Sequence, residues 1–92
     1  MAEEKSRFRE ILSYVRQAEA CEDRPGLSER FYRKALTLAE ENFRETGDPE
    51  AGSLARDLAL SLADLNMQQG NMHGADVWYG KALDHGIRLK SE

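Results

Sequence analysis

The sequence predicts an all-α domain of four antiparallel helices, arranged as two helix-turn-helix hairpins. Three observations carry that expectation. Apolar residues recur at three- and four-residue steps along the whole chain, which is the helical period. Glycine, proline and acidic residues interrupt that pattern at three places. A hexapeptide in the second helical stretch returns in the fourth.

In the first stretch Phe8, Ile11, Leu12, Val15 and Ala18 form one apolar stripe, with Arg7, Arg9, Glu10, Arg16 and Glu19 outside it. It ends near Glu22-Asp23-Arg24-Pro25-Gly26, where Pro25 disfavours helix for Arg24. The second stretch begins between Pro25 and Ser28, with Ser28 expected as its N-cap. Phe31, Tyr32, Ala35, Leu36, Leu38, Ala39 and Phe43 give it a wide apolar face. Thr46-Gly47-Asp48-Pro49-Glu50 then sets stop and start signals side by side. Gly47 suits the left-handed residue past a helix end, Asp48 an N-cap and Pro49 the first helical position. So short a connection folds two helices back on each other.

The third stretch runs from about Pro49 to Gln69 and is apolar over most of its circumference. Such a helix is covered on more than one side. Gly70-Asn71 closes it. The fourth carries Met72, Ala75, Trp78, Tyr79, Ala82, Leu83 and Ile87, with Gly80 and Gly86 inside it. Each internal glycine weakens a helix by roughly 1 kcal/mol against Ala, so close approach of another backbone is the expected reason for Gly80.

The 92 residues allow one domain, residues 1–92, with hairpins at about 4–46 and 49–90. They leave little room for an elaborate enclosed active site. Apolar residues are 40% and charged residues 33%, too apolar for a disordered chain. The net charge of −4 and the acidic residues interleaved with Lys5, Arg7, Arg9 and Arg16 argue against a nucleic-acid partner. No stretch reaches the roughly 20 apolar residues of a membrane span, and no basic-then-apolar secretory leader opens the chain. The lone Cys21 rules out an internal disulfide. A cytoplasmic location is expected.

Phe31-Tyr32-Arg33-Lys34-Ala35-Leu36 and Trp78-Tyr79-Gly80-Lys81-Ala82-Leu83 lie 47 positions apart and share four of six residues. Repetition on this scale marks stacked helical hairpins. Around the second copy, Leu62-Ala63, Gly70, Ala75, Tyr79 and Ala82 follow a spacing that resembles the tetratricopeptide repeat (TPR) family. Ala59 stands where that family often has Trp, and Asn66 where it has an aromatic. The first hairpin matches through Tyr32, Ala35 and Leu36. The long period is similar to the repeats of kinesin light chains.

The resemblance implies a protein–protein interaction scaffold or adaptor with no catalysis and no cofactor. Its partner would be a peptide or helix of another protein. The first helix of each pair would line the groove, with Ser13, Gln17 and Cys21 in the first stretch, and Asp57, Leu60, Asp64, Met67 and Gln68 in the third. The lysine–asparagine clamp that some members use on a terminal carboxylate is not visible at these positions. Two repeats are marginal, and nothing after Leu89 is long enough for a capping helix. Trp78 and Ile87 are therefore expected to form a capping surface or a homodimer contact. The alternative from another class is a helical-bundle enzyme or metal protein using His73, His85 and nearby carboxylates. No spacing of His, Cys or Glu offers a metal site, and Glu22 and Asp23 beside Cys21 suppress its reactivity.

Overall fold

Ala, Leu, Glu, Gln, Lys and Arg fill most positions between the turns, and these residues lose least on entering a helix. A computed structural model describes the backbone of residues 2–90 and the side chains of residues 7–85. It holds four helices: α1 (Ala2–Ala20), α2 (Pro25–Thr46), α3 (Pro49–Gln68) and α4 (Met72–Lys90). No strand occurs among the described residues.

The turns obey local chemistry. Gly47 has φ 68° and its N–H donates to Phe43 O at 2.7 Å, closing α2 with a left-handed cap. Asp48 Oδ1 accepts from Glu50 N at 3.0 Å and caps α3, with Pro49 following. Gly70, at φ 78°, ends α3. Asn71 N donates to Asn66 O at 2.8 Å and Gly70 N to Met67 O at 3.0 Å, the paired bonds of a Schellman motif.

Ser28 does not cap α2. Arg24 occupies that place without a side-chain bond. Ser28 is buried one turn inside, and its Oγ donates to Ala18 O at 2.8 Å. Pro25, needing no N–H partner at the first position, starts the helix earlier than Ser28 could.

α1 packs on α2, α2 on α3 and α3 on α4, and no other pair of helices comes close along its backbone among the described residues. The molecule measures 39 × 28 × 12 Å, an open slab and not a closed bundle. Alanine explains how the helices approach: nine of the thirteen buried apolar residues are Ala. Small side chains let neighbouring helices nestle, and Ile11, Leu36, Leu58 and Leu62 supply the bulk of the core. The contacts cross from helix start to helix end. Arg7 of α1 pairs with Glu45 of α2, Ser28 meets Ala18, and Glu29 of α2 meets Asn66 of α3.

Gly80 is not a point of close approach. A Cβ there would meet nothing within 4 Å. The crowded glycine is Gly74, where a Cβ would collide with Asn66 Oδ1 and Asn71 Nδ2.

Candidate functional site

α1 and α3 flank α2 on one side of the slab and leave a groove between them. Ile11 and Ala18 bury one face of α1 against the core, and Ala55, Leu58, Ala59 and Leu62 bury one face of α3. The flanks beside those faces form the two walls. Phe8 and Leu12 of α1 meet Pro49, Glu50, Ser53, Leu54 and Asp57 of α3 in an apolar cleft of about 410 Å³. Further along, Glu19 of α1 and Glu22 in the turn that follows it face Ser61, Asp64, Leu65 and Gln68 of α3 across a cleft of about 330 Å³. Ala18, Ser28 and Tyr32 also line this second cleft. From Leu54 to Leu65 a helix rises about 16 Å, enough for a short peptide.

The second cleft is acidic. Glu19, Glu22 and Asp64 line it, and no Lys or Arg does. Burial pushes the Tyr32 phenol above its ordinary range, and the charges of Glu19 and Glu22 push it further, because each disfavours a phenolate. Asp64 turns its other flank to α4, where Oδ1 accepts from the Tyr79 hydroxyl at 3.2 Å. That bond holds Tyr79 in its neutral form and raises its pKa. Met67 Sδ stands 3.3 Å from the same hydroxyl.

The residues expected to line one groove separate into four places. Asp57 stands in the apolar cleft, and Asp64 and Gln68 in the acidic one. Leu60 and Met67 are exposed, with Met67 on the side of α3 towards α4. Ser13 and Gln17 line a separate shallow trough along α1 with Arg9, Leu12, Arg16 and Ala20, and Gln17 Nε2 donates back to Ser13 O at 3.3 Å. Helical periodicity finds the face opposite the core, yet a third helix walls its groove with the flank. Cys21, a half-buried free cysteine, lines neither cleft. Glu19, Tyr32 and Ser61 were missed for that reason; the signal was their place beside Ala18, Ala35 and Leu62 on the wheel, while Glu22 sits in the turn after α1 and had no such signal.

Asn66, where an aromatic was expected, is a buried polar junction. Its Nδ2 donates to Leu62 O at 2.8 Å and to Glu29 Oε1 at 3.0 Å. Its Oδ1 accepts from Asn71 Nδ2 at 2.9 Å, and Asn71 Oδ1 accepts from Gly74 N at 3.0 Å. One amide thus joins α2, α3 and the first turn of α4, which explains why Gly74 carries no side chain.

Trp78 is half-buried against α2. Arg33 lies 5.5 Å and Lys81 5.6 Å from its ring centroid. The side chain of Ile87 falls outside the described ones. His73 is exposed in the first turn of α4. His85, 6% exposed, donates from Nε2 to Glu40 Oε2 at 2.9 Å, and Lys81 Nζ stands 3.6 Å from the same oxygen. The two histidines sit in separate environments, and among the described residues no three His, Cys, Asp or Glu side chains gather as metal ligands. Nor is any described helix long and apolar enough to cross a membrane.

No family model, no curated protein and no solved structure matches the chain.

Proposed function

We infer that this chain is a protein–protein interaction module of TPR type. Its consecutive helices run antiparallel as two stacked hairpins, and the groove between α1 and α3 receives a peptide or helix that carries a basic side chain. The observation that carries the reading is the groove itself, apolar at the Phe8–Leu54 end and acidic at the Glu19–Asp64 end, without a basic residue in either lining. An amphipathic ligand with one Lys or Arg complements both ends. The crossed contacts between helix starts and ends support the antiparallel order. The repeated burial of Ala35 and Ala82, and of Tyr32 and Tyr79, supports the repeat.

The test is selection of a random displayed peptide library on the immobilised 92-residue chain. Enriched peptides are expected to combine an apolar residue with Lys or Arg. Binding is expected to fall at least tenfold in a Glu19→Gln, Glu22→Gln variant and to weaken with salt, about 1.4 kcal/mol being a factor of ten. Enrichment of acidic peptides, or equal binding by the variant, overturns the reading.

A further inference from the structure

The two copies of the hexapeptide differ in what covers them. Leu36 is 2% exposed in the core that α2 shares with Leu58 and Leu62 of α3, while its counterpart Leu83 is 68% exposed. Tyr32 has a helix on each side, α1 and α3, and it lines the cleft between them. Tyr79 has only α3, through Asp64 and Met67. The far side of α4 thus repeats a surface that the chain covers at α2 and leaves Leu83, with Met72, open to water.

We propose that a second copy of this chain covers it, head to tail, its α1–α2 hairpin seated on α4 as α3–α4 is seated on α2. The proposal rests on reading the two hairpins as repeats. Its register follows from contacts within the chain. A residue of α2 faces the residue 45 positions on in α4, as Arg33 faces Trp78 and Glu40 faces His85. The hexapeptides are 47 positions apart. The same step repeated sets each residue of α4 against the residue 49 positions earlier in the next copy, so Leu83 falls on Lys34.

That landing place is already shaped for it. Lys34 lines a shallow cleft of about 320 Å³ with Glu10, Tyr14, Arg33, Thr37 and Leu38, formed by α1 and α2 with no residue of α3 in its lining. Tyr14 stacks on Phe31 beneath it, and the Lys34 ammonium lies 5.6 Å over the Tyr14 ring. An exposed leucine meets an aromatic-floored cleft. The charges also complement each other. Arg30 and Lys34 stand on the receiving side, Asp76 lies two helical turns before Leu83 and by the same register falls within one turn of Arg30, and none of the three has an ion-pair partner among the described residues. At Gly80, which holds the place of Arg33, the open space over its backbone leaves room for Phe31 of the next copy.

A contact of this kind is heterologous, so each added copy leaves one free end and assembly does not close at two. Light scattering on the 92-residue chain up to about 1 mM, where small interfaces of millimolar affinity are populated, is expected to show a mass that climbs past the dimer without a plateau. Leu83→Glu and Lys34→Glu, both at exposed positions, are each expected to stay monomeric with unchanged helical circular dichroism. Mixed in equal amounts they are expected to form a dimer and stop there, since one supplies the intact head and the other the intact tail. A monomeric wild-type chain at the highest concentration overturns the proposal. So does a mass that stops at two while the mixed variants fail to associate, which is the signature of a two-fold contact. Peptide selection on the monomeric Leu83→Glu chain separates the two ideas: if it still enriches basic peptides while the wild type never associates, only the head-to-tail contact falls.

Discussion

α2 and α4 carry nearly the same six residues, and the structure treats five of the six alike. Ala35 and Ala82 are buried, Tyr32 and Tyr79 half-buried, Phe31 and Trp78 half-buried. The fourth position, Lys34 or Lys81, is exposed in both, and so is the third. Only the last differs, Leu36 lying in the core and Leu83 in water. The identical leucine has opposite fates because, among the described residues, α2 packs closely along its backbone on both α1 and α3 and α4 only on α3. Burial here is a property of position in the array, and the residue type records which positions are built to be covered.

The largest expected effect breaks that symmetry directly. Leu36→Ala removes a fully enclosed side chain and leaves a cavity, at a cost of about 3 kcal/mol. Leu83→Ala, at a largely exposed site, is expected to change monomer stability by less than about 0.5 kcal/mol. Urea unfolding followed by circular dichroism at low protein concentration measures both. Equal losses would show that α4 is covered within the monomer.

The second comparison sets Asn66 against the aromatic expected in its place. Asn66→Ala strands Glu29 and Asn71 and opens the α3–α4 connection, at a cost of about 2 kcal/mol. Amide exchange in the first turn of α4 is expected to speed up in the same variant, because Asn71 loses the partner that orients it towards Gly74 N.

Gly74 and Gly80 of α4 give effects of opposite sign. Gly74→Ala forces the Asn66–Asn71 bond apart, and about 1–2 kcal/mol is expected to be lost. Gly80→Ala meets open space in mid-helix and is expected to gain up to about 1 kcal/mol. A gain at both positions would remove the polar junction from the account.

The smallest effects belong to the phenols. Tyr32 and Tyr79 both ionise above the ordinary value of 10.0. The folded state therefore holds their protons more tightly than the unfolded state does. Their contribution is fully present below pH 10 and fades as the pH rises through the folded values. Ultraviolet titration is expected to show Tyr32 ionising at lower pH in a Glu19→Gln, Glu22→Gln chain, and Tyr79 at lower pH in Asp64→Asn. A bound Lys- or Arg-bearing peptide is expected to lower the Tyr32 value as well, since its charge offsets the two glutamates.

Much of the fold was written in local patterns. The apolar stripes located all four helices, and Gly47, Asp48, Pro49 and Gly70 located two of the three turns almost to the residue. Those signals are legible because a helix cap depends on a few neighbouring backbone groups. The groove was only half legible. Asp57, Asp64 and Gln68 were found from their place opposite the core of α3, but Ser13 and Gln17 point away from the clefts that Glu19 and Glu22 enter. Ser28 looked like a cap and is a tether to Ala18, and the burial of His85 against Glu40 of α2 had no local signal.

By itself, then, the order of residues determined where the helices begin and end, which stripe of each is apolar, and that one motif occurs twice. Periods, caps and turn residues are short-range, and a reader of the chain needs nothing else. Only the tertiary structure decided which flank of α1 meets α3, that Asn66 joins three elements, and that Leu36 is covered while Leu83 is not. Those outcomes depend on residues tens of positions apart arriving at one place, and on how many neighbours each helix receives.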